Sequence, residues 1–282
     1  MKDIIFMKKI ALIFIILLPL ANAGFINSDI KMEMDEIPPI SVGERISKDL
    51  NIIFSWGKGL LFPLPLEIYL DAEAPDWLTV SFSEKSFKIT PEGFLGGEIN
   101  KSIRVELFAR NEVEGFIPYE LKIRAYTDGN FLIKGCEEEI KTAVMQNFYD
   151  RGIGVEFPSR ISIIRGETIS LIMNITNNCN SIIEVEILKE NISKIHLSYE
   201  KKISIPPHSK KSFNIRITAN ETGEESGKII LTYYPSANRN LTNSYKIPID
   251  VIVSEKTSNA RILILIVIVI ILVLIYFLWK KK

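Results

Sequence analysis

Tyr119-Glu120-Leu121-Lys122-Ile123-Arg124-Ala125-Tyr126 alternates polar and apolar side chains without a break. A period of two puts Leu121, Ile123 and Ala125 on one face and the charges on the other, which suits a strand with one dry and one wet face. The same alternation runs through Ser102-Ile103-Arg104-Val105-Glu106-Leu107 and Phe213-Asn214-Ile215-Arg216-Ile217. Between such segments stand turn formers: Gly57-Lys58-Gly59, Pro91-Glu92-Gly93, Asp128-Gly129-Asn130, Asn177-Asn178-Cys179-Asn180, Pro206-Pro207-His208 and Glu221-Thr222-Gly223. Short strands with turns at this density predict an all-β antiparallel sandwich rather than a sheet with crossover helices.

The pattern occurs twice. Ser81-Phe82-Ser83-Glu84-Lys85-Ser86-Phe87-Lys88-Ile89-Thr90-Pro91 matches Ser198-Tyr199-Glu200-Lys201-Lys202-Ile203-Ser204-Ile205-Pro206-Pro207 once a residue is skipped. Downstream, Lys101-Ser102-Ile103 through Ala109 parallels Lys211-Ser212-Phe213 through Ala219, and upstream Val42-Gly43-Glu44 parallels Arg165-Gly166-Glu167. A tandem duplication follows, with one sandwich over 26–130, a second over 153–254, and a connecting segment over 131–152. In that segment Ile140, Val144 and Phe148 recur at spacing four behind Glu137-Glu138-Glu139, which predicts a short helix. The acidic triplet reads as a solvated charge run, because consecutive carboxylates point apart and no Asp-x-Asp spacing accompanies them.

The order in the second copy is Pro158, Gly166-Glu167, a strand ending Asn174-Ile175-Thr176-Asn177-Asn178, the strand Ile182 to Leu188, and Ser204-Ile205-Pro206-Pro207-His208-Ser209 before Ser212 to Ala219. This resembles the galactosidase-associated, immunoglobulin-like modules of prokaryotic exported proteins. The first copy shares Pro75-Asp76-Trp77-Leu78-Thr79-Val80 with them, but Trp56 to Leu66 replaces its second-strand turn. The resemblance implies two tandem immunoglobulin-like sandwiches serving as spacers, substrate-presenting domains or adhesive units, and it implies no reaction.

The two ends of the chain predict where it works. Lys2, Lys8 and Lys9 precede the apolar run Ile10 to Leu20, and Ala21-Asn22-Ala23 follows with the small-x-small pattern of a cleavage site. Residues 1–23 therefore read as a signal peptide. Near the other end, 255–261 reads as a juxtamembrane linker. Ile262 to Trp279 is wholly apolar or aromatic and is followed by Lys280-Lys281-Lys282. Such a run spans a bilayer as one helix, with the lysines on the cytoplasmic side. It has no Gly and no small-xxx-small pair, so it reads as a passive anchor.

Chemistry-bearing residues are few. Cys136 and Cys179 are the sole cysteines. On the exported side, with Cys136 in the connecting segment and Cys179 in a turn at the chain's entry to the second sandwich, they predict a disulfide contributing roughly 4 kcal/mol. Asn-x-Ser/Thr acceptors begin at Asn100, Asn174, Asn191, Asn220 and Asn240. His196 and His208 have neither triad nor zinc spacing, and Gly93-Phe94-Leu95-Gly96-Gly97 lacks the Lys-Ser/Thr of a phosphate loop. No catalytic residue, metal site or cofactor is expected.

The chain holds 34 basic and 34 acidic residues, so no basic field recruits nucleic acid. The binding surface is expected in Trp56-Gly57-Lys58-Gly59-Leu60-Leu61-Phe62-Pro63-Leu64-Pro65-Leu66, through Trp56, Leu61, Phe62 and Leu64. Its prolines cannot donate ladder hydrogen bonds, so it is an edge or a loop, and its apolar residues fill the core or meet a partner. The expected function is a non-enzymatic, membrane-anchored cell-surface structural or binding protein with a surface protein or glycan as partner. The alternatives are an accessory subunit docked onto a transporter, pilus or secretion complex, and a carbohydrate-binding or carbohydrate-processing protein using Trp77 as a sugar platform.

Overall fold

The computed structural model describes residues 24–200, 202–256 and 259–280, so the signal peptide read over 1–23 lies outside the described residues. It divides into two compact units, Met1–Asp150 and Arg151–Lys282. The first contains β1 (Ser28–Met34), β2 (Arg45–Trp56), β3 (Leu66–Glu73), β4 (Leu78–Phe82), β5 (Ser86–Ile89), β6 (Gly97–Ala109), β7 (Tyr119–Gly129) and β8 (Lys134–Val144). They form two sheets, β1-β2-β6-β4 and β5-β3-β7-β8. The second contains β9 (Ile153–Glu156), β10 (Arg160–Ile164), β11 (Thr168–Asn177), β12 (Ile183–Glu190), β13 (Ile195–Ser198), β14 (Ile203–Ile205), β15 (Lys210–Ala219), β16 (Gly223–Pro235) and β17 (Asn243–Ser254). Its sheets are β13-β15-β11-β9 and β10-β17-β16-β12-β14. Each unit is an immunoglobulin-like sandwich.

The repeated motifs occupy equivalent places in the two units. Gly43 and Gly166 have φ of 77° and 78°, the left-handed region in which a side chain is strained. Each turns the chain into its second strand. The N–H of Gly43 donates to the Ala109 carbonyl at 2.9 Å, and the N–H of Gly166 to the Ala219 carbonyl at 3.0 Å. In return Ala109 N–H reaches the Glu44 carbonyl at 3.2 Å, and Ala219 N–H the Glu167 carbonyl at 3.1 Å. Both copies also change sheets in the middle. β4 pairs with β6 while β5 pairs with β3; β13 pairs with β15 while β14 pairs with β12.

Proline breaks the first strand of each copy in the same way. Pro158 separates β9, antiparallel to β11, from β10, parallel to β17. Pro38-Pro39 separate β1, antiparallel to β2, from a parallel bridge between Ile40 and Gln146. A residue without an N–H cannot continue the first ladder, and the chain crosses to the other sheet.

The cores follow the period of two. Leu121, Ile123 and Ala125 of β7 are fully buried, facing a layer that includes Leu50, Ile52 and Phe54 of β2 and Ile103, Val105 and Leu107 of β6. Trp77, 2% exposed, meets the Tyr119 ring edge-on at 5.8 Å. It has no open face and is no sugar platform.

The segment predicted as a helix is instead β8, antiparallel to β7 along its whole length, with Arg124 opposite Glu139 and Ile123 opposite Ile140. A spacing of four puts side chains on one face of a helix and also on one face of a strand, so Ile140 and Val144 satisfy both. The available partner decides. β7 needs a neighbour on its outer edge, and β8, with Glu137, Glu138 and Glu139 exposed, supplies it. The first sandwich therefore extends past residue 130 to include 134–144.

Beyond β17, Asn259–Lys280 is helical (α1). Over the residues whose side chains are described, no helix is long and apolar enough to cross a membrane, the longest such run in α1 being 264–273.

Asn177 ties the second unit together. Its Nδ2 donates to the carbonyls of Ser181 (2.8 Å), Ile205 (3.1 Å) and Pro206 (2.9 Å), while its Oδ1 accepts the Cys179 N–H at 2.9 Å. Asn177→Ala leaves these buried groups unmatched and is expected to cost about 3 kcal/mol. In denaturant unfolding followed by residue-resolved exchange, the second unit's transition should fall while the first unit's stays in place.

Candidate binding surface

At one end of the first sandwich four loops meet: 24–27 before β1, 57–65 between β2 and β3, 90–96 between β5 and β6, and 130–133 between β7 and β8. Backbone hydrogen bonds tie them together. Gly57 N–H donates to the Asn27 carbonyl (2.9 Å), Gly59 N–H to Phe94 (2.8 Å), and the N–H groups of Phe25 and Ile26 both to Leu132 (2.8 Å). Positive φ at Gly59 (113°), Gly93 (106°) and Gly96 (88°) sharpens the turns. Gly96 and Gly97 are also fixed by space, because a Cβ would meet the Trp56 carbonyl at 2.6 Å and the Trp56 ring at 2.7 Å.

The segment chosen from sequence splits between core and surface. Trp56 (8% exposed) and Leu60 (1%) are buried, and Trp56 stacks near Phe54 with ring centres 6.2 Å apart. Leu64 packs partly against the core. Leu61 and Phe62 point outward at 76% and 48% exposure. Pro63 and Pro65, which have no N–H for a ladder, stand just before β3 at Leu66, and the loop before them turns Leu60 inward and Leu61 and Phe62 outward.

Four further exposed apolar residues escaped the sequence reading: Phe25, Phe94, Leu95 and Phe131. They come from three other loops and join Leu61 and Phe62 only through the fold. Gly93-Phe94-Leu95-Gly96 carried a usable signal, two large apolar side chains held between glycines where neither a strand nor a helix would bury them. Lys58 and Glu92 are the sole charged residues in the four loops. β8 starts at this end and finishes at Val144, so the chain leaves the first sandwich from the opposite end.

The other candidates stand apart. Cys136 and Cys179 form no disulfide, which corrects the expected bridge. Cys136 is not in a linker but near the start of β8, opposite Thr127, so eight residues and roughly 26 Å of strand separate it from that strand's end. Burial pushes the Cys136 thiol above its usual value; the Ser28 hydroxyl, 3.2 Å away, opposes this, and Asp29 adds to it. Cys179 is fully buried in the second unit's own turn, with Sγ 3.5 Å from the Gly152 carbonyl.

Of the glycan acceptors, Asn100, Asn191, Asn220 and Asn240 are exposed. Asn174 is engaged on its sheet face, donating to Glu156 at 2.8 Å and accepting from Ser212 at 2.6 Å. His196 is exposed on β13, and His208 sits with φ 50° in the turn after β14. The most perturbed phenol, Tyr234, is pushed up to about 12 by burial and by its 2.9 Å hydrogen bond to Glu186, which Arg239 also holds at 2.8 Å. That phenol stays protonated and braces β12 against β16. Among the described residues no group of three or more His, Cys, Asp or Glu could hold a metal.

No protein-family model and no curated protein matches the sequence. Among solved structures the chain is similar to PapD-like domain 7 of human CEP192, at 9% identity over 37% of this chain and 87% of that one, TM-score 0.32. It is similar to a protein of unknown function from Porphyromonas gingivalis W83, at 10% identity over 78% and 99%, TM-score 0.31. It is also similar to the CsuC–CsuE chaperone–tip adhesion subunit complex of Acinetobacter baumannii, at 17% identity over 36% and 57%, TM-score 0.27. Likeness this faint adds nothing to the strand order, which itself identifies the sandwich. The narrower resemblance to galactosidase-associated modules gains no family match.

Alkylation in the folded protein is expected to label Cys136 slowly and Cys179 only after unfolding, with no reductant needed for either. Mass spectrometry of non-reduced peptides checks this, and a Cys136–Cys179 cross-linked peptide contradicts it.

Proposed function

We propose that the chain is a non-enzymatic cell-surface protein, exported by its leader, held by α1 with the terminal lysines in the cytoplasm, and binding through the apolar end of its first sandwich. The observation that carries the reading is the group of exposed Phe and Leu side chains on four loops. A monomer in water rarely gathers that much apolar surface without a partner to cover it.

The anchor is supported by chemistry. α1 has 22 residues, about 33 Å of helix, close to the hydrocarbon thickness of a bilayer. Ile264 to Val273 are all 45% exposed or more, so no face of this run packs against protein. An apolar helix exposed on every side is at rest only in an apolar solvent. Tyr276 and Trp279, also exposed, suit the headgroup level at its end. The four exposed Asn acceptors are the positions at which a glycosylating host would decorate such a surface.

The test is membrane extraction of the full chain together with a version stopped after Ser254. The full chain is expected to resist alkaline carbonate, to be digested from outside, and to keep only a membrane-protected fragment containing α1. The stopped chain should be released. Extraction of the full chain by carbonate contradicts the reading.

A further inference from the structure

We infer that the apolar end of the first sandwich inserts into the outer surface of a lipid bilayer, through Phe25, Leu61, Phe62, Phe94, Leu95 and Phe131. The inference rests on the membrane-held reading above and names the partner that reading leaves open.

The first support is the kind of side chain. The residues that carry most of the binding energy at protein interfaces are Tyr, Trp and Arg, which bring a polar handle as well as area, and Leu is under-represented among them. The four loops expose Phe and Leu and no Tyr, Trp or Arg; their one indole, Trp56, is buried. Such side chains offer a protein partner no hydrogen bond to set its orientation, whereas hydrocarbon asks for none. Lys58 and Glu92 offset each other, so the surface has no net charge to seek anionic headgroups. Its attraction is to acyl chains.

The second support is shape. At 76% exposure, Leu61 and Leu95 touch little of their own domain. They stand on glycine-sharpened turns in separate loops. Side chains that project from several loops at one end suit a partner that deforms around them, as the headgroup region does.

The third support is the chain that leads into this surface. The apolar leader run ends at Leu20, and Ala21 to Gly24 are all that separate it from Phe25. Four residues reach at most about 14 Å. Phe25 and Ile26 are pinned beside Leu132 by their backbone N–H groups. Until the leader is cleaved, the apolar end is held within that reach of the lipid surface.

The test uses the full chain reconstituted in phosphatidylcholine vesicles with brominated acyl chains. Phe62→Trp and, as a second tip position, Leu95→Trp each place a reporter in the patch. Ile172→Trp does so at an exposed position of the second sandwich. After the wild-type signal is subtracted, the tip tryptophans are expected to emit to the blue and to be quenched by bromine, with Ile172→Trp emitting as in water. Adding Leu61→Ser and Phe94→Ser should abolish the quenching, and replacing part of the lipid with phosphatidylglycerol should leave it unchanged. Water-like emission at both tip positions overturns the inference. So does a blue shift without bromine quenching that grows with protein-to-lipid ratio, since a second copy then covers the surface. Quenching that needs anionic lipid overturns its hydrocarbon basis. Carbonate extraction separates the two readings: an extractable chain defeats the anchor, and an integral chain with unquenched tips defeats this inference alone.

Discussion

Register between the two long inner strands is the constraint on which each sandwich depends. In the first copy the left-handed turn at Gly43 carries Glu44 alongside Ala109, where the two chains exchange backbone hydrogen bonds. β2 and β6 then pair from Arg45 with Phe108 to Trp56 with Gly97. A slip of one residue would turn Leu50, Ile52 and Phe54 to water and bring Asp49 and Asn51 into the core. Gly166 and Ala219 impose the same register on β11 and β15. With register set at one end of the sandwich, the loops at the other end are free to differ.

They do differ, one closed by polar contacts and the other exposing apolar side chains. Where β11 ends, Asn177, Asn180 and Ser181 are buried, and the Asn177 amide fastens the turn to the carbonyls around it. That end is closed by polar contacts. Where β2 ends, Trp56, Leu60, Ile26 and Ile133 turn inward, while Phe25, Leu61, Phe62, Phe94, Leu95 and Phe131 of the four loops turn outward. The same scaffold thus closes one tip on itself and leaves apolar side chains exposed at the other.

Strand identity and the equivalent placing of the repeated turns were legible because both are written in local pattern, as period-two alternation and as repeated Gly-Glu, Lys-Ser and Pro-containing turns. The nature of 134–144 was not, since spacing four fits a strand as well as a helix and only the open edge of β7 distinguishes them. The cysteine pairing is not legible for a related reason, since the segment that reads as a linker around Cys136 is a strand of the first sandwich. Of the exposed apolar end, sequence reached Leu61 and Phe62, which adjoin the unusual Pro63-Leu64-Pro65 run. Phe25, Phe94, Leu95 and Phe131 lie in loops far apart along the chain, and no local pattern records that antiparallel pairing gathers those loops at one end.

Residue-resolved hydrogen exchange on the full chain in bilayers and in detergent tests the central claim most directly, that two equally registered sandwiches differ at their tips. The account predicts strong and comparable protection at Gly43, Ala109, Gly166 and Ala219 in both media, with loops 57–65 and 90–96 slowed in bilayers alone. Exchange at coil rates at either Gly–Ala pair would contradict the shared register. Loop exchange that is the same in both media would contradict the divergent tip.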